Sequence, residues 1–328
     1  MASRDYFSTL RQLVAADKVA SEELENFVVI GNAYRRYALG VAQVAVAGIL
    51  VLSGCSQNTE SDLGAKKVSG IVKVDGIASN LPEALKQSGE LTVGVSLPYM
   101  PNEFKDSSGR IIGFGVDLMD AVSTVLGLEP KYVESPFEKI IPNIQVGTYD
   151  VGLASMTDSK EREKQVDFTT YFRAGTQWAQ QVGSPVDPTS ACGKKVAVQA
   201  TTLQDTEEIP AKSNACVAAG KPPIDKRAYS EQSDAANALV LGQVDALSAD
   251  SPVITHAIKY SGNKIESSGP LFDTALYGWP VAKGSPLATV LQAAVKHLIE
   301  TGKYLEIATN WGVQEGVIKE SQINGATN

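Results

Sequence analysis

Short buried strands and amphipathic helices alternate along this chain, and the alternation runs twice. Leu91-Thr-Val-Gly-Val95 reads as a buried strand. Val116, Met119, Val122 and Leu126 follow at helical spacing between Gly113 and Leu126, with Gly127 as the stop. Lys131–Val133 and Asp150–Ala154 are further strands, and Pro142 limits Phe137–Val146 to short turns. A second round has strands at Lys195–Val198 and Val244–Leu247 and a helix over Gln232–Leu241, stopped by Gly242. Helices over Pro286–Ile299 and Lys303–Trp311 close the pattern. Strand–helix alternation implies mostly parallel α/β sheets flanked by helices, here in two lobes. Ligands of such sheets sit beyond the carboxyl ends of the strands. Those ends carry Ser96 and Tyr99, then Ser155, Thr157 and Arg162, then Thr201 and Thr202, then Ser248 and Asp250. Two polar sheet edges of this kind describe a cleft.

The first 54 residues read differently. Arg35 and Arg36 precede an uncharged, almost wholly apolar run, Tyr37–Leu52, which ends in Leu52-Ser53-Gly54-Cys55. Basic region, apolar region and small-residue site stand in signal-peptide order. Cys55 resembles the lipobox cysteine of bacterial lipoproteins, which is lipidated and becomes the mature N-terminus. The run is shorter than the ~20 apolar residues of a spanning helix; a short uncleaved anchor is the rival reading. Met1–Gly31 carries charges of both signs and no export character, so a start further in, at Val28 or Val29, or a cytoplasmic extension, is expected. Ser56 to about Ser79 is polar, so 55–80 reads as the lipidated cysteine and a flexible tether.

The 328-residue chain is acidic, at net charge −8, and its leader is balanced in charge. That excludes the basic footprint of nucleic-acid binding. With Cys55 lipidated, Cys192 and Cys216 remain, both facing an oxidising compartment, and a disulfide between them is expected. The alternative is a pair of buried thiols. The only histidines, His256 and His297, read as surface or packing residues, and no metal site or cofactor is expected.

Ala154-Ser-Met-Thr-Asp-Ser-Lys-Glu-Arg162 is the sharpest stretch. Asp158 stands in capping-box register with Glu161, which places helix N–H groups near Thr157, where anions bind. Arg162 offers a bidentate guanidinium for a carboxylate, and Asp250 in the other lobe offers a negative charge. Together they match the two ends of an α-amino acid. Each residue also has a plain structural reading. Glu161–Glu163 fits a solvated helix face, Asp250 before Ser251-Pro252 fits a helix N-cap, Thr201 and Thr202 fit a cap, and Tyr99, Phe104 and Phe137 fit a core.

From Leu91 to Trp311 the chain resembles the family 3 extracellular solute-binding proteins, which feed polar amino acids to ABC importers. The stretches that carry the resemblance are Leu91–Tyr99, Gly113–Leu118, Pro136–Pro142, Tyr149–Thr157, Lys160–Lys164, Val166–Tyr171, Lys195–Gln199 and Gly242–Ala246. The insertion between Cys192 and Cys216 resembles that of Gram-positive, especially actinobacterial, members. The resemblance implies a type II periplasmic-binding-protein-like fold. Lobe 1 then spans 81–178 plus 280–328, lobe 2 spans 183–275, and the hinge crossovers are 177–182 and 277–282. It implies that Arg162, Thr157 and Thr202 hold the ligand carboxylate, that Asp250 and Ser155 hold the ammonium, and that Tyr99 and Phe137 sandwich the side chain. Ser96 and Gln199 then meet its distal end. Thr201 stands where the family has glycine, which leaves the register of that loop open by one residue. Ser96 stands where several members have aspartate.

The implied protein is a monomeric lipoprotein on the outer face of the cell membrane. It binds a polar amino acid and presents it to an ABC permease without catalysis. The alternative is an enzyme on the same fold, such as a cyclohexadienyl dehydratase, with Glu103, Asp205 or Glu231 as its general acid. A sensory input domain would need a spanning segment after the lobes, and the tail after Trp311 is short and polar.

Overall fold

The computed structural model describes residues 67–327. The leader, Cys55 and the first part of the expected tether lie outside the described residues. The rest of that segment is not a tether. Val68, Ile71, Val74 and Ile77 recur every third residue and pack on the first lobe's core, and Ala78 and Leu81 are buried. The Val74 amide donates to Val125 O at 2.9 Å, and the segment ends in two short helices, α1 (Asp75–Ala78) and α2 (Glu83–Ser88).

The first lobe continues with β1 (Glu90–Val95), a small hairpin of β2 (Phe104–Lys105) and β3 (Ile111–Ile112), α3 (Phe114–Leu126) and β4 (Glu129–Glu134). After the turn Phe137–Lys139 come α4 (Ile140–Gln145), β5 (Val151–Leu153) and the single turn α5 (Lys160–Glu163). Leu91, Val93 and Val95 are fully buried because β1 lies between β4 and β5 with helices on its faces. Gly113 opens α3 at φ 139°, and a Cβ there would lie 2.0 Å from Asn102 O, so only glycine fits.

β6 (Val166–Gln181) leaves this lobe and enters the second, which holds β7 (Lys195–Gln199), α6 (Ile209–Ala218), β8 (Asp225–Tyr229), α7 (Gln232–Val240), β9 (Ala246–Asp250) and α8 (Ser251–Tyr260). β10 (Ile265–Ala282) returns, and α9 (Leu287–Glu300) and α10 (Lys303–Asn310) pack on the first lobe's core. The return of the last helices therefore follows the family pattern. One sheet of eight strands results, in the order β4-β1-β5-β10-β6-β9-β7-β8. β1, β4 and β5 are mutually parallel, as are β7, β8 and β9, and the two long antiparallel strands join the triplets. The second lobe buries Leu239, Leu247 and Ile254 on one side and Trp178, Val198 and Ile209 on the other.

The passage between lobes differs from the expected crossovers at 177–182 and 277–282. Thr176–Gln180 already pairs with β9 in the second lobe, and Val281 pairs with Val151 in the first. The β6–β10 ladder slips at Ser268/Phe272, opposite Thr176–Trp178, and again, between those two pairings, at Phe272/Ala275 and Tyr277/Gly278. The irregular pairing marks where the sheet changes lobes.

Cys192 and Cys216 form a disulfide that ties the approach to β7 onto α6. No described helix is long and apolar enough to cross a membrane.

Candidate functional site

The strand ends meet in a narrow cleft. Tyr99, Phe137, Ser155, Thr157, Arg162, Gln199, Thr202 and Asp250 all line it, as expected from the sequence. Ser96 does not. It is buried at the end of β1, where its amide donates to Leu153 O at 3.1 Å, which keeps it in the sheet. Ala154, Leu203 and Gln204 line the cleft without having been expected there.

Arg162 is no solvated helix residue. Its Nη1 donates to Thr157 O at 2.8 Å and its Nη2 to Thr201 O, across the cleft, at 3.2 Å. The guanidinium carbon stands 5.5 Å from the Phe137 ring centre, within cation–π range. Burial lowers its pKa to about 10, and the charges of Asp250 and Glu207 oppose that, so it stays cationic at neutral pH. The cap of α5 differs from the expected capping box. Ser159, not Asp158, accepts from the Arg162 amide, at 3.4 Å. Asp158 instead accepts from the Gly325 amide at 2.7 Å, and burial raises its pKa to about 7.

Asp250 opens α8, yet its carboxylate caps nothing. Oδ2 accepts from the hydroxyls of Tyr99 at 2.7 Å and Tyr277 at 2.6 Å, and Oδ1 accepts from Gln204 Nε2 at 2.9 Å. Burial raises the Asp250 pKa, while these three donors hold it down. Burial and the adjacent carboxylate push both phenols well above their ordinary range, so they remain donors. Tyr277 and Gln204 were not singled out by sequence; only the β10 and post-β7 geometry brings them to Asp250.

Ser155 sits at φ 45° and Thr201 at φ 62°, left-handed conformations unusual for such residues. Thr201 thus occupies a backbone state for which glycine is suited. Thr202 Oγ1 donates to Gln199 O at 2.7 Å and also accepts from the Asp205 amide at 3.4 Å, so its capping reading holds alongside its place in the cleft. Gln199 Nε2 donates to Ser230 O at 3.3 Å, while its buried Oε1 has no hydrogen-bond partner among the described residues.

The Ser155 hydroxyl is engaged outside the cleft, with Asn102 Nδ2 donating to it at 2.8 Å and both Glu103 oxygens 3.0 Å away. Glu103 is fully buried, and desolvation raises its pKa to about 8. Of the three acids weighed for catalysis, none lines the cleft. Glu103 faces Ser155, Asp205 pairs with Lys226, and Glu231 is exposed before α7. No cluster of three metal-binding side chains occurs among the described residues.

Two α/β lobes joined by two long strands, with a cation and an anion lining the cleft at their strand ends, define a cleft-type solute-binding fold. The chain belongs to the bacterial extracellular solute-binding proteins, family 3, whose model matches residues 91–314. It is 44% identical over 250 residues to the arginine-binding protein ArgT of Corynebacterium glutamicum, covering 76% of this chain and 82% of that protein. It is 28% identical over 280 residues to the ABC transporter glutamine-binding protein GlnH of Bacillus subtilis, covering 83% and 95%. An ancestral arginine-binding protein bound to arginine superposes with TM-score 0.62 at 31% identity, over 68% of this chain and 98% of that one. An ancestral amino-acid-binding protein described as a precursor of cyclohexadienyl dehydratase superposes with TM-score 0.61 at 27% identity, over 70% and 98%.

Proposed function

We propose that this protein captures an amino acid whose side chain ends in N–H donors, of the arginine or glutamine kind, and delivers it to an ABC importer without chemical change. The observation that carries the reading is the pair Arg162 and Asp250, one from each lobe, lining a single cleft. In this reading Arg162, with the backbone at Thr157 and Thr202, takes the ligand carboxylate. Asp250 and the Ser155 carbonyl take the ammonium, since the Ser155 hydroxyl is already engaged. The unpaired Gln199 Oε1 favours a donor at the distal end, and a buried acceptor left unpaired costs about 1–3 kcal/mol. Among the described residues Arg162 is the only cation lining the cleft, so a second carboxylate, as in glutamate, lacks a partner there. The relatives named for arginine and glutamine support the same class.

Titration calorimetry with L-arginine, L-glutamine and L-glutamate tests this. Arginine or glutamine binds saturably and glutamate at least tenfold more weakly. Arg162→Ala costs ~10–100-fold in affinity, the weight of a charge-assisted hydrogen bond. Tight glutamate binding, or an unaffected Arg162→Ala, refutes the assignment. Turnover of prephenate or arogenate would instead establish the enzyme alternative.

The same reading places the protein at the outer face of the cell membrane, held by lipid on Cys55. Cys55→Ala then shifts the protein from the membrane pellet to the soluble fraction with ligand affinity unchanged. A variant still in the pellet removes the anchor.

A further inference from the structure

The family match ends at residue 314, but the chain beyond it is built into the first lobe. After α10 it turns over Gln314–Gly316 and runs beside β6. The Ile318 amide donates to Tyr304 Oη at 3.0 Å, and Ser321 Oγ donates to Thr170 O at 2.6 Å. The Gln322 amide donates to Thr170 Oγ1 at 2.7 Å, and the Thr170 amide returns to Gln322 O at 2.9 Å. Asn324 makes three bonds. Its amide donates to Phe168 O at 3.0 Å, its Oδ1 accepts from the Phe168 amide at 2.8 Å, and its Nδ2 donates to Asp167 Oδ1 at 2.8 Å.

The next two amides leave β6 for the cleft loop. Gly325 N donates to Asp158 Oδ2 at 2.7 Å, and Ala326 N donates to Glu163 Oε1 at 3.1 Å. Asp158 and Glu163 bracket Arg162. Between them lies α5, a four-residue turn that buries none of its residues. So short a helix has no stability of its own, and the Arg162 guanidinium beyond it rests over Phe137 and on Thr157 O and Thr201 O. The segment is attached elsewhere as well. The Asp158 amide donates to Leu276 O at 2.8 Å, and Lys283 Nζ donates to Glu163 O at 2.6 Å. The two strap amides thus bond the side chains of Asp158, before the turn, and Glu163, its last residue.

We infer that Ser321–Ala326 is a strap that positions the Arg162 turn through Asp158 and Glu163. Its effect on ligand affinity rests on the proposed role of Arg162; its effect on the turn does not. Asp158 and Glu163 are positioning residues in this scheme, since neither lines the cleft.

Hydrogen–deuterium exchange on the full chain, on Asn324→Ala and on a chain ending at Glu320 tests the strap without a ligand. The expected result is at least tenfold faster exchange at the amides of Arg162 and Glu163, with the β1 amides unchanged. Asp158→Ala loosens the same amides, and Asp158→Asn, which keeps an acceptor for Gly325 N–H, restores their protection. Unchanged exchange at Arg162 and Glu163 in Asn324→Ala overturns the inference, whether or not the shortened chain folds. Calorimetry on the same variants with L-arginine and L-glutamine separates the two readings. Faster exchange with a five- to tenfold affinity loss supports both. Faster exchange with affinity unchanged, alongside a silent Arg162→Ala, leaves the strap standing and overturns the carboxylate clamp.

Discussion

At the scale of single residues, burial sets the chemistry of the cleft floor. Glu103 lies directly behind Ser155, and a Cβ on Gly115 would come within 2.4 Å of its Oε1, so little water reaches it. Its pKa of about 8 in the folded protein stands above the ordinary 4.5. The folded state therefore binds a proton there that the unfolded chain has released. Stability from this group is complete below pH 4.5 and is lost as pH rises through 8. Glu103→Gln carries no titrating proton and keeps an acceptor for Ser155. The melting temperature of the parent protein should fall between pH 5 and pH 9 more steeply than that of Glu103→Gln. Parallel profiles by calorimetry would show that Glu103 is ionised throughout. The charges on Arg162 and Asp250 were legible in the sequence because their types stand at strand ends. What each one touches was not, because Thr201 O, Tyr277 and Gln204 reach them only through the closed sheet edge.

At the scale of elements, strands and helices with strong periodicity were legible to within three residues. α3 occupies Phe114–Leu126, with Gly127 left-handed at its end, and α7 occupies Gln232–Val240. Elements without such a pattern were missed. β8 has mostly exposed residues, and α6 begins as a π-helical turn over Gln204–Glu208. The expected tether failed for a related reason, since a row of apolar residues every third position resembles neither helix nor strand. The hinge was displaced because strand propensity says nothing of which neighbour a strand pairs with; β6 is a single strand through both lobes. The Cys192–Cys216 pairing was legible from the cysteine count together with the expected export signal, which sets an oxidising compartment. The bridge closes a loop of sequence separation 24, which in the chain-entropy model is worth about 3 kcal/mol. Reduction should lower the melting temperature by roughly 6–12 °C, at ~2–4 °C per kcal/mol for a domain of this size. Because the bridge joins the approach to β7 and α6 behind the cleft, ligand affinity should change less than threefold. A reduced protein with unaltered melting temperature would show that packing alone fixes α6.

At the scale of the molecule, polar groups of the two lobes meet across the cleft. Arg162 from the first lobe reaches Thr201 O of the second, and Asp250 of the second accepts from Tyr99 of the first. The protein's own polar groups thus bridge the two walls of the cleft. The long strands β6 and β10 keep the lobes in one sheet, and the slipped ladder between Ser268 and Gly278 supplies the irregular segment at which they join. A ligand that engages both walls binds the folded, closed form and not the unfolded chain, so it raises the melting temperature by mass action. At a concentration one hundred times the dissociation constant the gain is about 2.7 kcal/mol. For a domain of this size that corresponds to a shift of roughly 5–10 °C. Arg162→Ala, weakened about a hundredfold, retains only about 0.4 kcal/mol at the same concentration, and its shift should shrink to ~1–2 °C. An α-keto acid that keeps the carboxylate and lacks the ammonium should shift the parent protein less than its amino acid does, and should shift Asp250→Asn by nearly as much as the parent. Equal shifts with the amino acid and the keto acid in the parent protein would show that only one wall recognises the ligand, and the two-ended cleft would have to be abandoned.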